Sequence, residues 1–119
     1  MKSGAVFRAA TGQCLVAQVR RTDTAWERLR GLLGHPPLAD DQGLLIDPCP
    51  SVHTFGMNYP LDLAFLDTGM RVLKLVQGLP PRRLAACTAA RSTLELPPGA
   101  IERSGIIAGD ILEWRPRSG

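Results

Sequence analysis

The chain has 119 residues, of which 45% are hydrophobic and 21% charged, with a formal net charge of +3. That length suits one domain, predicted over residues 1–119, and excludes a second catalytic domain within it. The composition is that of a chain that builds a core, not of a disordered one. Apolar runs such as Gly43 to Ile46 and Leu63 to Leu66 are far short of the roughly 20 residues of a membrane helix, so no membrane partner is expected. The basic residues are twelve Arg and two Lys. The arginines are scattered in local pairs such as Arg20-Arg21 and Arg82-Arg83, without the dense, aromatic-interleaved stripe of a nucleic-acid binder, and nucleic acid is an unfavoured partner. Arg8 interrupts the N-terminal apolar run before it reaches the length of a signal-peptide core, which predicts a cytoplasmic chain, although a leader removed ahead of residue 1 stays open. Cys14, Cys49 and Cys87 are odd in number and widely spaced, which fits reduced thiols and offers no Cys-x-x-Cys pair.

Prolines and glycines cut the chain into pieces of strand length. Ala5 to Arg8 and Gln13 to Arg20, separated by Thr11-Gly12, predict an opening hairpin, with Cys14 and Val16 alternating against Leu15, Ala17 and Val19. Cys14 is expected in the core, as a small hydrophobe. Thr24-Ala-Trp-Glu27 has the pattern of a capping box, and Trp26, Leu29 and Leu32/Leu33 recur at helical spacing, so Ala25 to Leu33 is predicted as a helix stopped by Gly34 and Pro36-Pro37. His35 is expected in an exposed loop.

Gly43 to Asp47 reads as a buried strand ended by Pro48 and Pro50. Val52 to Met57 is a candidate strand with His53, Phe55 and Met57 on one face, turned by Asn58-Tyr59-Pro60. Leu61 to Leu66 and Val72 to Val76, joined through Asp67-Thr68-Gly69, are the firmest hairpin. A loop carrying Arg82, Arg83 and Cys87 leads to a strand over Arg91 to Leu96. A short helical turn from Gly99 to Ser104, a Gly-Asp turn and a last strand to Trp114 follow. These pieces predict a mainly β protein with one or two helices (α+β), a compact barrel- or sandwich-like sheet of short, mostly antiparallel strands.

Arg30-Gly-Leu-Leu33, His53-Thr-Phe-Gly-Met57, Pro60-Leu-Asp62 with Phe65-Leu-Asp67, Leu94-Glu-Leu-Pro97 and Gly109-Asp110, in this order and spacing, resemble the prokaryotic family called domain of unknown function 192. The resemblance covers about residues 13–114 and implies a small, mostly β domain with no established activity. Leu96 to Glu113 also resembles the strand-helix-turn-strand of AbrB-type DNA-binding domains. That element is expected to be a shared building block, with Asp110 accepting backbone amides at its turn.

The chemistry-bearing residues gather around the Pro60 turn. A small-ligand pocket is expected near His53, Thr54, Met57, Asp62 and Glu95, its occupant an unknown small molecule, and a protein partner is the other expectation. The rival class is an enzyme using His53 and Asp62 as an acid/base pair, with Thr54, Ser51, Cys49 or water as nucleophile. No G-x-S-x-G elbow supports it. A third is a basic nucleic-acid module through the C-terminal strand-helix-strand. Cys49, His53 and Cys87 are the candidate metal ligands, but only one pair has ligand spacing, so no metal and no cofactor is predicted. Glu95, if buried, requires a partner, for which Arg30, Arg82 and Arg91 are candidates. Trp26 and Trp114 are expected to plug the core.

Overall fold

The computed structural model describes residues 1–24, 27 and 36–117. Among them nine strands form: β1 (Lys2–Arg8), β2 (Cys14–Arg21), β3 (Gln42–Ile46), β4 (Ser51–His53), β5 (Leu61–Leu66), β6 (Val72–Leu79), β7 (Leu84–Ala86), β8 (Ser92–Leu96) and β9 (Leu112–Pro116). One short helix, α1 (Ala100–Ser104), links β8 to β9. Seven strands make one sheet in the order β6-β5-β8-β3-β2-β1-β9, and β4 and β7 form a separate two-stranded ribbon. All these pairings are antiparallel except β2 with β3.

The sheet is open, not a closed barrel. Its edge strands meet at one corner only, through the bridge Arg71↔Ile111 and the bonds Val72 N–H to Asp110 C=O (2.8 Å) and Leu112 N–H to Met70 C=O (2.9 Å). Beyond that corner β9 follows β1 and β6 follows β5, so the ladder does not continue. The result is sandwich-like, with apolar side chains packed on both faces of the sheet. On one face Leu94 and Leu96 pack with Val6, Val16, Val19 and the buried residues Ala100 and Ile101 of α1. On the other, Leu44, Leu61, Leu63 and Phe65 pack beneath Val52 of the ribbon. Because both faces are covered, every residue of β5 and β8 is buried.

The β5–β6 hairpin forms as predicted. Asp67 Oδ1 accepts the amides of Gly69 and Arg71, both at 2.9 Å, which holds the turn closed. At the C-terminal turn Asp110 accepts the Ile107 amide at 3.0 Å and Gly109 is left-handed at φ 94°. The opening hairpin also forms, but its alternation slips. Gly4 pairs with Val19 and Val6 with Val16, so β2 carries an extra residue there and both valines reach the same core. A second shift, between the Val6–Val16 and Phe7–Cys14 pairs, breaks the alternation again, and Cys14 is exposed instead of in the core.

The predicted strand from Val52 to Met57 stops at His53, and the segment read as a loop around Arg82 to Cys87 contains β7. The helix predicted over Ala25 to Leu33 lies outside the described residues except Glu27, as do Trp26, Arg30 and His35. The reciprocal bonds of the predicted capping box are present: Glu27 N–H donates to Thr24 Oγ1 (3.1 Å) and Thr24 N–H to Glu27 Oε1 (3.2 Å). Trp114 is half-buried against the first core, its indole N–H donating to the Val19 carbonyl at 2.9 Å.

Candidate functional site

Strand alternation decides which candidate side chains can meet. Glu95 on β8 lies directly between Leu44 of β3 and Leu63 of β5, on the face beneath the ribbon. Asp62 is paired with Leu96 and therefore points to the opposite face, toward α1. Its Oδ1 accepts the Gly78 amide at 2.8 Å and its Oδ2 the Ile101 amide at 3.0 Å. A carboxylate at the first turn of a helix, with two charge-assisted bonds, is a fastening between the β5–β6 hairpin and α1.

His53 is exposed on the outer side of β4, its ring centroid 5.9 Å from that of the exposed Phe55. The structure therefore does not bring His53 and Asp62 together as an acid/base pair; ribbon and sheet separate them. Thr54 is fully buried and fully engaged. Its hydroxyl donates to the Pro80 carbonyl at 2.6 Å and accepts the Arg83 amide at 2.9 Å, while its own amide donates to the Arg83 carbonyl at 2.9 Å. This clamp ends β4, and with Gly56 in a left-handed conformation (φ 84°) it turns Met57 back to the second core while Phe55 stays outside.

What remains beneath the ribbon is a small polar cluster in an apolar setting. Glu95 is 3% exposed, and among the described residues its Oε1 and the hydroxyl of Tyr59 are the buried side-chain polar atoms without a hydrogen-bond partner. Neither described arginine proposed for Glu95 pairs with it: Arg91 is engaged with Asp47 at 2.9 Å and Arg82 is exposed on the surface. Burial alone pushes the Glu95 carboxyl up to about 8, so it carries its proton at neutral pH. Burial also raises the Tyr59 phenol, with the negative charge Glu95 would carry adding to the rise. The Cys49 thiol is raised by burial as well, Glu95 contributing in the same direction. Cys49 Sγ donates to the Ser51 carbonyl at 2.9 Å, and Thr93, two residues before Glu95 on the same face, donates to the Cys49 carbonyl at 2.7 Å.

Cys49 and Cys87 pack against this second core while His53 faces out, and among the described residues no three His, Cys, Asp or Glu side chains gather as metal ligands. The described cavities lie elsewhere. A cleft of about 350 Å³ is lined by Arg21, Asp47, Met70, Arg91 and Trp114. Three of its charges are already paired, Asp47 accepting from Arg21 and Arg91 at 2.9 Å each. At the C-terminal strand-helix-strand, the Ile101 amide of α1 is taken by Asp62.

A buried protonated carboxyl and a phenol, each able to donate and accept, complement a neutral polar group better than an ion. Of the expected pocket residues, Met57 and Glu95 share this face, Thr54 anchors its cover, and His53 and Asp62 lie outside it. Tyr59, seen in the sequence only as part of a turn, belongs to the cluster. The signal available for that was the polar Thr93 and Glu95 on one face of an otherwise apolar strand.

Residues 6–114 match the model of the family DUF192, described as uncharacterised. A UPF0127 protein of Thermococcus sibiricus is 28% identical over 110 residues, 87% of this chain and 70% of that protein. Two crystal structures share the fold. A Sinorhizobium meliloti protein whose name proposes a transcription regulator superposes with a TM-score of 0.80 at 22% identity, covering 95% of this chain and 92% of that one. A Novosphingobium aromaticivorans protein of unknown function superposes with a TM-score of 0.74 at 22% identity, over 94% and 84% of the two chains.

Proposed function

Since the chain belongs to the uncharacterised DUF192 family, which supplies no reaction to carry over, we propose from its own residues that it is a small-ligand-binding domain with its site beneath the β4–β7 ribbon. The ligand has a neutral polar head, which pairs with Tyr59 Oη and Glu95 Oε1, on an apolar body that packs against Met57 and Leu63. The observation that carries this reading is the pair of buried polar atoms without partners on one face. Each such atom costs about 1–3 kcal/mol when left unsatisfied, and a fold that keeps two on the same side of its sheet retains them for a partner that arrives later. The raised Glu95 carboxyl supports the same view, because burial without pairing is how functional sites shift their titrating groups. Approach is through the Gly56–Pro60 turn, where Asn58 is exposed and Met57 and Tyr59 are half-buried. In this scheme Thr54 and Asp62 are positioning residues, one holding the ribbon down and the other holding the β5–β6 hairpin to α1.

The test is ligand-observed NMR and thermal shift at pH 7 with four probes of one size: benzamide, benzyl alcohol, benzoate and benzylamine. Benzamide and benzyl alcohol are expected to bind and to raise the melting temperature, the two ions not, and binding is expected to fall at least tenfold in Tyr59→Phe. Equal binding by the variant, or no binding of either neutral probe to the wild type, refutes the site.

A further inference from the structure

The outer side of the ribbon carries a second, independent feature. Val52 and Ala85 face inward as partners, which turns the next pair, His53 and Leu84, outward. Phe55 continues from His53, and with Leu84 it is among the most exposed large hydrophobic residues of the protein, at 55% and 68%. Beside them stand Arg82 and Arg83, both exposed, and no salt bridge to either forms among the described residues.

The arginine pair is held in place from beneath. Arg82 sits in the left-handed region at φ 61°, a strained conformation for a side chain of its size, and its amide donates to the Thr54 carbonyl at 3.2 Å. The Arg83 amide is fixed on the Thr54 hydroxyl. The surrounding sequence contains no acid: residues 48–61 and 79–94, which hold both strands of the ribbon and their flanks, lack Asp and Glu altogether. Of the other exposed large hydrophobics, Ile107 and Ile111 have Asp110 and Glu113 within their own segment, and Leu73, at 36%, is less exposed than Phe55 or Leu84. An aliphatic Leu84 paired across from His53, with the His53 and Phe55 rings inclined at 41°, is a surface for an apolar side chain and not a stacking platform for bases.

We infer that the outer face of the β4–β7 ribbon docks an acidic polypeptide segment, whose apolar side chain seats on His53, Phe55 and Leu84 while its carboxylates pair with Arg82 and Arg83. Charge complementarity selects this occupant. An apolar patch flanked by two guanidiniums that form no salt bridge among the described residues, in a stretch of sequence without acids, favours a partner that brings both.

The experiment uses the full chain, fluorescently labelled, on arrays of 15-residue peptides that permute Asp and Glu with Leu and Phe. Matched arrays replace the acids by Lys or the apolar residues by Ser. A labelled dT15, phosphatidylglycerol vesicles and sedimentation equilibrium of the chain alone run in parallel. Binding is expected on the acidic-apolar peptides only, weakened at least tenfold by Leu84→Ser and by Arg82→Ala/Arg83→Ala, and reduced by salt, with melting temperatures of both variants close to wild type. Absence of peptide binding, equal binding by the variants, preference for dT15 or vesicles, or a dimer that Leu84→Ser dissolves each overturns the inference. Because Tyr59→Phe leaves this face untouched, it is expected to bind the peptides like wild type.

Discussion

Replacing Glu95 by Gln isolates the energetic consequence of the buried carboxyl. In the native state its proton is held until about pH 8, whereas in the unfolded chain it leaves at the ordinary 4.5. Between those values the unfolded state binds fewer protons than the native state, so this group's contribution to stability is complete below pH 4.5 and is lost as pH rises toward 8. At about 1.36 kcal/mol per pH unit, the loss reaches about 3 kcal/mol at pH 7 and about 4 kcal/mol at pH 8. Gln keeps the shape and carries no titrating proton, so its stability lacks this slope. The amide brings its own cost of seating an extra donor, but that cost is the same at every pH. Urea denaturation followed by tryptophan fluorescence from pH 4.5 to 8 is therefore expected to show Glu95→Gln gaining on wild type by about 3 kcal/mol between pH 4.5 and 7, whatever the offset between them. Parallel pH profiles would refute the reasoning, since they would mean that Glu95 is ionised and paired in the folded protein.

Asp62→Asn replaces an acceptor oxygen by a donor facing either the Gly78 or the Ile101 amide, and is expected to cost about 2 kcal/mol in urea denaturation, with the Gly78 and Ile101 amide resonances moving most. Thr54→Val keeps the volume and removes the hydroxyl bonded to Pro80 and Arg83, costing about 1–3 kcal/mol and speeding hydrogen exchange at Arg83 before it does so in β5. His53→Ala, by contrast, changes stability by no more than about 0.5 kcal/mol, because the side chain is exposed; a larger loss in thermal denaturation would show a structural bond. Gly4→Ala puts a Cβ about 2.7 Å from the Trp114 ring and against the Arg115 carbonyl, which must push β9 away from β1. It is expected to lower stability by about 3 kcal/mol and to alter Trp114 fluorescence.

Much of the scaffold was legible locally. Alternation and turn chemistry identified the β5–β6 hairpin, because Asp67 and Gly69 specify their turn without help from distant residues. The strand predicted over Arg91 to Leu96, which begins at Ser92, and the helical turn of α1 were equally visible, since Pro97-Pro98-Gly99 separates them and Gly105 ends the turn. Errors fell where tertiary contacts overrode the local pattern. The second register shift between β1 and β2 reversed the parity that would have buried Cys14. The Thr54 clamp cut short a strand whose alternation predicted His53 and Met57 on one side. Three residues of β7 were too few to rise above the loop around them, and they pair only because β4 is there to receive them.

For the site the division is sharper. The sequence alone marked a mostly β chain, the residues near Pro60 as the place where chemistry gathers, and Glu95 as a charge that burial would make costly. Which of those residues share a space was decided by the sheet. A strand alternates its side chains between two faces, so pairing Asp62 with Leu96 and Glu95 with Leu63 sent the two carboxyls to opposite sides. Only the strand order places Glu95 in the middle of a sheet covered on both faces, and only the ribbon's return over that sheet brings Tyr59 and Cys49 into its neighbourhood while leaving His53 outside. Periodicity within a segment carries the first kind of information; pairing between segments distant in the chain carries the second.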